Sequence, residues 1–357
     1  MTKKCLIFLS FYEKTVILRL FLKNRRMRQL IRNSSRIIFP LFFGGAILYW
    51  MYRDFNFQEI RHAVNHRMNW TWMLLSFPFG IMAQVFRGWR WRQTLQPIGE
   101  KPRHAVCINA IFISYASSLV VPRIGEFMRC GILKRYEGTS FAKSLGTVVT
   151  ERSIDSLLVL GITFLTLLLN VQLYETFFNY TGTTIDSIWN AFTPGGWMVT
   201  LTCILAILTL PLMLFRKLAL HHKIKTTLHG IWEGICSLKS IRNIPLFVFF
   251  TIAIWGCYFL HYYLTFFCFE ATQDLGIHCA LTTFIVGTIA VVVPTPNGAG
   301  PWHFAVKTML VIYGVAMKEA LFFVLIVHTV QTLLVALLGI YAWVALTFTK
   351  KKKHLTS

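Results

Sequence analysis

The sequence has few charged residues and very few acidic ones. Its 357 residues include 14 Asp and Glu against 36 Lys and Arg, and hydrophobic residues make up 55% of the chain. So little charge, together with long apolar runs, excludes an ordinary soluble domain and predicts an all-α polytopic membrane protein. The formal charge of +22 would suggest nucleic-acid binding in a soluble protein. Here the basic residues flank apolar segments, where they set topology, so no nucleic-acid partner is expected.

The cysteine pattern lacks a framework for disulfides or for a metal site. The eight cysteines are scattered, with no Cys-x-x-Cys pair and no neighbouring histidine at ligand spacing. They are interpreted as small packing residues or free thiols. Only Cys268 and Cys279 could form a disulfide, since both would lie near the outer surface in the topology described below. We expect no structural metal and no cofactor.

Recognisable catalytic motifs are also missing. The chain contains no Asp-x-Asp, Gly-x-Ser-x-Gly, His-Glu-x-x-His or P-loop pattern, and no soluble segment long enough for a nucleotide-binding domain. The protein is therefore not expected to be an enzyme. An intramembrane transferase that uses Glu126, Glu151 or Asp155 as a base is kept as an alternative, and covalent product formation would identify it.

The apolar runs and the basic residues together predict a topology. The runs long enough to cross a bilayer are 37–52, 70–86, 146–172, 196–215, 244–269 and 319–347. Basic residues concentrate in 1–36, 87–104, 216–242 and 350–353, which places these regions and both termini in the cytoplasm. The connections 174–195 and 270–280 contain no Lys or Arg, and they are placed outside together with 53–69. This pattern predicts a multi-pass protein of the cell (inner) membrane.

Two shorter apolar segments, 105–121 and 281–293, do not fit as simple spans. A full crossing by the first would put the five basic residues of 122–143 outside and would invert everything downstream. Two re-entrant hairpins remove this conflict, one broken at Pro122 and the other across 294–301. The protein would then have six spanning helices and two hairpins. The alternative is a bundle of eight spans in which both breaks are kinks.

The resulting order is span, span, hairpin, span in each half, and the second half starts from the opposite side. This is an inverted-topology repeat in a transmembrane domain of residues 37–347, with one half at about 37–172 and the other at about 196–347. A basic cytoplasmic segment, 1–36, precedes this domain, and a basic tail, 348–357, follows it. Paired helix breaks in such repeats are typical of a transporter's substrate site near the bilayer midplane.

Ionisable residues follow the first break at helical spacing. Arg123, Glu126 and Arg129 recur every three residues, so a helix that starts after Pro122 would carry them on one face. Guanidinium groups can clasp a phosphate with parallel N–H donors, and Glu126 would hold an arginine in place. The alternative is a hairpin end whose charged side chains reach the cytoplasmic headgroups.

A second charged group, Glu151, Arg152 and Asp155, enters the third long run. Ionisable residues within a membrane helix are a functional hypothesis by default, and their expected partner is the charged face that follows Pro122. The group can also form a network within its own helix. Direct substrate contact and a salt-bridge staple between hairpin and helix both remain open.

Prolines and glycines interrupt the second hairpin. Pro294, Pro296 and Pro301 exclude a continuous helix, while Gly298 and Gly300 permit unusual backbone dihedrals. A helix that begins at Pro301 would point free N–H groups and the positive end of its dipole at the midplane. An anionic headgroup would be favoured there.

Polar residues accompany this second break. Asn297 lies within it, and His303 is a candidate hydrogen-bond donor or proton-linked group just after it. Two further histidines, His261 and His328, are interpreted as packing residues or as hydrogen-bonding residues between helices.

These segments resemble a known family. The stretches Pro122 to Glu126, Glu151 to Asp155 and Pro294 to Gly300 look like the signature segments of the lysylphosphatidylglycerol synthase transmembrane-region family, also called flippase-like proteins. The resemblance covers about residues 37–347. It implies an integral membrane fold with a role in moving lipids or lipid-linked molecules between leaflets. The chain resembles the stand-alone membrane module without the soluble aminoacyltransferase domain, so lysyl transfer is not expected.

The sequence therefore predicts a transporter of a lipid with an anionic headgroup, either an anionic phospholipid or a polyprenyl-linked lipid. The acyl chains would stay in the bilayer through a lateral opening. The expected headgroup site comprises Arg123, Glu126, Arg129, Glu151, Arg152, Asp155, Asn297, Gly298, Gly300 and His303. The alternative is a non-transporting scaffold for lipid-modifying enzymes. A second copy of the chain or such an enzyme is the expected protein partner.

The N-terminal segment leads to a first prediction, which concerns the start of translation. Lys3, Lys4 and a short apolar run imitate a signal peptide, but no small-residue cleavage site follows. Met27 stands shortly before the first spanning run, and we hypothesise that translation begins there. N-terminal sequencing of the native protein should then find a chain that starts at or just after Met27. An intact Met1 or Thr2 would refute the hypothesis.

Overall fold

The computed structural model describes residues 68–169, 232–234 and 236–351, together with Tyr49, Thr176 and His229. Every regular element of ten residues or more in this part of the chain is an α-helix. These helices are α1 (Trp70–Leu95), α2 (His104–Ser118), α3 (Gly125–Glu137), α4 (Phe141–Leu169), α5 (Ile244–Tyr263), α6 (Gly276–Ala290), α7 (Pro301–Ile312) and α8 (Met317–Thr347). The predictions made for 1–36, 37–52, 53–67, 174–195, 196–215 and 352–357 lie outside the described residues, apart from Tyr49 and Thr176.

The helix order is the same in the two described sets, α1–α4 and α5–α8. The short helices match in length, with 15 residues in both α2 and α6, and 13 and 12 residues in α3 and α7. The last helices, α4 and α8, have 29 and 31 residues. Within each set the two short helices pack against each other as a helical hairpin. The predicted interruptions at Pro122 and across 294–301 are therefore present.

The bundle has a basic end, at which α1 finishes. There, Arg103 Nη2 donates to the carbonyl oxygen of Lys350 (2.8 Å), so the start of α2 meets the end of α8. The carboxylate of Glu100 accepts a hydrogen bond from the backbone N–H of Ser140 (2.8 Å), which brings the start of α4 to the same end.

The opposite end of the bundle holds the start of α1. Met68 pairs with Phe269 in an isolated β-bridge, and the ring of Phe269 meets that of Phe322 with 5.5 Å between centroids. The start of α8 therefore lies at this end, next to the turn that follows α5. Buried aromatic rings such as Tyr262, Phe266 and Phe323 fill the core here.

Small residues let the helices approach closely. Gly80 of α1 packs under the ring of His261 in α5, whose Nδ1 lies 2.8 Å from the carbonyl oxygen of Ser76. Gly339 of α8 lies against Ala116 of α2 in the same way. The interpretation of His261 as a residue that bonds two helices is confirmed.

α1 is longer than the predicted span 70–86. It continues to Leu95 and takes Arg87 and Arg90 into the helix, with both side chains buried. The basic region 87–104 is therefore helical as far as Leu95, and its cytoplasmic side stays a prediction. The predicted span ends at residue 86 because the mean hydropathy falls at the two arginines. Arginine can nevertheless be buried when carboxylates on another helix pair with it.

The outer faces of the long helices are apolar. Leu157, Phe164, Leu337 and Trp343 are each more than half exposed, which would be unfavourable in water and is normal against lipid. In the described part of the chain, two helices are long and apolar enough to cross a membrane: Ile244–Cys268, which extends α5 by one turn, and α8. These features are those of a membrane protein.

The disulfide left open by the sequence does not form. Cys268 and Cys279 are both buried near the opposite end of the bundle, and both are free thiols. They serve as packing residues in the aromatic core.

The contact between α2 and α3 gives a prediction about stability. A Cβ at Gly125 would overlap the carbonyl oxygen of Ser114, whereas a Cβ at Gly131 of the same helix meets nothing within 4 Å. Gly125→Ala should destabilise the purified protein by about 1–3 kcal/mol, since the two backbones must separate. Gly131→Ala is the control, and its effect should be neutral or slightly stabilising. Equal melting temperatures for the two variants in detergent would contradict this packing.

Candidate functional site

Each helix break contains one non-glycine residue with a left-handed backbone. Arg123, between α2 and α3, has φ 62°, and Asn297, between α6 and α7, has φ 53°. Among the described residues, no other non-glycine residue has a positive φ. Such a conformation costs on the order of 1–3 kcal/mol, so it persists only where the surroundings hold it. The same strain thus occurs at corresponding places in the two hairpins.

The two breaks meet. Arg123 Nη2 donates to the carbonyl oxygen of Val292, at the end of α6, over 3.2 Å. This bond joins the tip of the first hairpin to the tip of the second. Because α6 has just ended, its last carbonyl oxygens lack helical partners and are free to accept such a bond.

A cavity of about 430 Å³ opens between the tips. Its wall combines both breaks with the end of α2, the middle of α4 and the end of α6. The lining residues are Ser114, Tyr115, Ser118, Pro122, Arg123, Glu126, Arg152, Ser156, Thr288, Val291, Val292, Pro294, Thr295, Asn297 and Gly298. Hydroxyl groups and two guanidinium groups thus face a space that could hold a small polar headgroup.

A buried ionic cluster lies next to this cavity, centred on Glu151 of α4. One carboxylate oxygen of Glu151 accepts from Arg87 Nη1 (3.2 Å) and Arg90 Nη2 (3.1 Å), and the other accepts from Arg129 Nη1 (2.8 Å). Asp155, one turn further along α4, accepts from the same Arg87 (2.6 Å) and Arg90 (2.8 Å). The cluster therefore ties α1, α3 and α4 together.

A further ion pair lies between the cluster and the cavity. Arg152 Nε is 2.8 Å from a carboxylate oxygen of Glu126, and both side chains are about one third exposed. Arg152 Nη1 is 4.0 Å from Asp155, at the limit for an ion pair. The stronger contact of Arg152 is thus between helices rather than within its own helix.

Among the described residues, the charges of this region do not balance. Its four arginines, Arg87, Arg90, Arg129 and Arg152, face three carboxylates, and Arg123 at the cavity adds another cation. Each of the four arginines also has a buried N–H group to which no described residue offers a hydrogen-bond acceptor of good geometry. Excess positive charge beside a polar cavity favours an anionic ligand.

Aromatic rings cover the cluster. The guanidinium of Arg129 lies 4.7 Å from the ring centre of Trp91, and that of Arg87 lies 6.0 Å and 5.7 Å from the rings of Tyr115 and Tyr258. The hydroxyl of Tyr258 donates to that of Tyr115 (3.1 Å), which also lines the cavity. These rings partly replace the missing hydrogen-bond partners of the arginines.

The second break is held by neutral groups. The carbonyl oxygen of Asn297 lies 3.1 Å from His328 Nε2, and Asn297 Nδ2 donates to Thr332 Oγ1 (2.6 Å). The rings of His303 and His328 are 4.4 Å apart, and His303 Nδ1 accepts from the backbone N–H of Gly300 (3.4 Å). The interpretation of His328 as a hydrogen-bonding residue between elements is confirmed.

The structure divides the predicted headgroup residues into two groups. Those in the cavity wall are Arg123, Glu126, Arg152, Asn297 and Gly298, with the helix breakers Pro122 and Pro294. Those outside the wall are Arg129, Glu151 and Asp155 in the ionic cluster, and Gly300 and His303 at the start of α7. Pro296 begins a short 3-10 turn, and Pro301 is the first residue of α7, as predicted.

One detail of the prediction is wrong. α3 begins at Gly125, so Arg123 precedes the helix and does not share a face with Glu126 and Arg129. Its left-handed backbone sends the side chain across to the second break instead. The expected partnership between this segment and the charged turn of α4 is confirmed by the pairs Glu126–Arg152 and Arg129–Glu151.

Sequence reasoning missed Arg87 and Arg90. They were counted among the basic residues of the cytoplasmic region 87–104 and were not named as site residues. The sequence does contain a sign that Arg87 faces inward. Ser76, Gly80 and Ala83 precede it at intervals of three and four residues. Such a stripe of small and polar residues continues the inward face of α1. In the described part of the chain, no group of three or more His, Cys, Asp or Glu side chains could hold a metal ion.

The cluster predicts unequal effects of two similar substitutions. Glu151→Gln removes the charge that faces three buried arginines, and it should destabilise the protein by on the order of 3 kcal/mol or more. Glu126→Gln is the control, because it breaks one partly exposed pair and should cost about 1 kcal/mol or less. Thermal unfolding of both variants in one detergent measures the difference. A Glu151→Gln variant as stable as the control would show that the cluster does not hold the helices.

The sequence of the chain matches a known family. The family described as the lysylphosphatidylglycerol synthase TM region matches residues 37–339, a range that includes both helix breaks and the ionic cluster. Neither a curated protein nor a solved structure matches. The family is a membrane region connected with lipid synthesis, and the match covers most of the chain. The chain belongs to the lysylphosphatidylglycerol synthase TM region family.

Proposed function

We propose that the protein moves a lipid, or a lipid-linked molecule, with an anionic headgroup between the two leaflets of the cell membrane. The observation that carries this proposal is the cavity between the two helix breaks, with Arg123 and Arg152 in its wall and an excess of positive charge behind it. Irregular backbone is tolerated within a bilayer only where protein covers it or where it lines a polar cavity.

The lengths of the helices support a site near the bilayer midplane. Glu151 comes ten residues after Phe141, the first residue of α4, which is about 15 Å along the helix axis. His328 comes eleven residues after the start of α8, at about 16 Å from the opposite end of the bundle. Half of the hydrocarbon core is also about 15 Å thick.

The two short apolar helices support re-entrant hairpins. α2 and α6 have 15 residues each, so each reaches about 22 Å. A single crossing needs about 30 Å. α2 starts at the basic end and α6 at the opposite end, so the hairpins enter from opposite sides and their tips meet inside.

The distribution of charge supports a cytoplasmic basic end. Among the described residues this end carries Lys101, Arg103, Lys134, Arg135, Lys143, Arg242, Lys350 and Lys351. The described residues at the opposite end include Lys318 together with the acidic residues Glu270, Asp274 and Glu319. Basic residues favour the cytoplasmic side, so the C-terminus would lie there.

In this proposal the headgroup phosphate binds Arg123 and Arg152. Arg123 is exposed and donates only to a backbone carbonyl oxygen in the described structure, so a phosphate can replace that acceptor. Arg152 is positioned by Glu126. Arg129, Glu151 and Asp155 act indirectly, since their buried pairs fix α3 and α4 on either side of the cavity.

The acyl chains would remain in the bilayer. Val120 and Val292 at the rim of the tips are both more than 60% exposed, and Leu157 is exposed beside Ser156 of the cavity wall. This apolar rim offers a lateral path for the chains while the headgroup crosses through the polar space.

The alternative of an intramembrane transferase is less well supported. A general base needs a carboxylate that can take up a proton from substrate. Glu126, Glu151 and Asp155 each face at least one arginine within 2.8 Å or less. These pairs favour a binding and positioning role for the three carboxylates.

Arg123→Gln provides the sharpest test, because Arg123 is exposed and outside the buried cluster. Its loss should slow the exchange of fluorescent phosphatidylglycerol between leaflets in proteoliposomes by about tenfold or more, as expected for a charged hydrogen bond. Arg135→Gln, also exposed but outside the cavity wall, is the control and should exchange lipid like the wild type. The melting temperature of Arg135→Gln should equal that of the wild type, and that of Arg123→Gln should be at most a few degrees lower, because it loses one exposed hydrogen bond.

Lipids retained by the purified proteins give a second readout. Wild type should carry an anionic or polyprenyl-linked lipid that Arg123→Gln and Arg152→Ala have lost, as mass spectrometry would show. Exchange that never exceeds that of empty liposomes, with bulk lipid composition in every sample, would contradict transport and favour the scaffold alternative.

A further inference from the structure

A second cavity, of about 530 Å³, lies at the basic end of the bundle. It is formed by the last turns of α1, the start of α2 and the chain that leads into α5. Its lining residues are Trp89, Arg92, Gln93, Gln96, His104, Ile241, Arg242, Asn243, Leu246 and Phe250. None of them lines the cavity between the helix breaks, so we call this space the basal cleft.

The polar side of the basal cleft is basic. Arg92, Arg242 and His104 line it, and no described acidic residue does. Arg92 is held in place because its Nε donates to the carbonyl oxygen of Pro102 (2.8 Å), which leaves both Nη groups available to a ligand. Arg242 is exposed. A pair of guanidinium groups at the edge of a cleft suits a phosphate.

The other side of the cleft is apolar and continues onto the surface of the helices. Trp89 lies against Phe250 with 5.8 Å between ring centres, and Phe86 stacks on Phe250 at 5.9 Å. Leu246 and Phe249, on the same helix as Phe250, are 38% and 55% exposed. The phosphate-binding side thus passes directly into a face that an acyl chain can cover.

We propose that the basal cleft binds an anionic phospholipid, such as phosphatidylglycerol, as a structural lipid of the cytoplasmic leaflet. Arg92 and Arg242 hold the phosphate, and one acyl chain lies along Leu246 and Phe250. The lipid bridges α1 of the first set of helices to α5 of the second. Its role is to hold the two sets together, and it does not depend on transport.

Lipid titration of the purified full-length protein tests this proposal. Dioleoylphosphatidylglycerol added to delipidated protein in detergent should raise its melting temperature, whereas dioleoylphosphatidylcholine and glycerol 3-phosphate should not. The Arg242→Gln variant should need about tenfold more phosphatidylglycerol for the same rise, because one charged hydrogen bond is lost. Lys318→Gln, an exposed lysine at the opposite end, is the control and should respond like the wild type.

Two outcomes would overturn the proposal. An Arg242→Gln variant that responds to phosphatidylglycerol like Lys318→Gln would show that the lipid acts elsewhere. A rise produced equally by glycerol 3-phosphate would show that the cleft takes a soluble phosphate. The Arg123→Gln variant separates the two cavities, since it should lose lipid exchange and still show the rise in melting temperature that Arg242→Gln lacks at the same concentration of phosphatidylglycerol. Native mass spectrometry should find one tightly held phosphatidylglycerol fewer in Arg242→Gln than in Lys318→Gln.

Discussion

The buried carboxylate of Glu151 constrains the arrangement of the first set of helices. Three arginines from two other helices donate to it, and every one of these side chains is almost completely excluded from solvent. Burying an arginine without a partner is far more costly than burying a paired one. α1, α3 and α4 therefore share one register, set by where the arginines and Glu151 can meet. The position of the first helix break follows, since α3 carries Glu126 one turn before Arg129 and begins at Gly125, two residues after Arg123.

The two sets of helices fasten their hairpins to the following long helix with different kinds of side chain. In the first, charged residues fasten the hairpin to the long helix that follows it, through Glu126–Arg152 and Arg129–Glu151. In the second, neutral groups of Asn297, His328 and Thr332 do so. Both breaks nevertheless contain one strained left-handed residue. The excess positive charge belongs to the first set, so an anionic headgroup would be drawn to that side of the cavity.

Much of this architecture could be predicted from the sequence, because the signals are local. Prolines and glycines stop a helix whatever surrounds them, so the breaks at Pro122 and across 294–301 were predictable. The partnership of Glu151 with the segment after Pro122 was also predictable, since a lone buried charge is excluded. Arg87 and Arg90 were not identified, because a basic stretch at the end of an apolar run suggests a solvated region, and the stripe of small residues before Arg87 is a weaker signal. The left-handed backbone of Arg123, which decides where its side chain points, depends on tertiary contacts.

The ionic cluster lies entirely within the first set of helices. All of its charged residues belong to α1, α3 and α4, so it holds these three helices together. Side-chain links to the second set include Arg90 to Thr251, Tyr258 to Tyr115 and Arg123 to the Val292 carbonyl oxygen. Each such bond contributes about 1–3 kcal/mol, a few times the thermal energy. The hydrogen bond from Arg123 is also the one that a bound phosphate would displace. A headgroup that binds Arg123 would therefore compete with the side-chain hydrogen bond that joins the tips of the two hairpins.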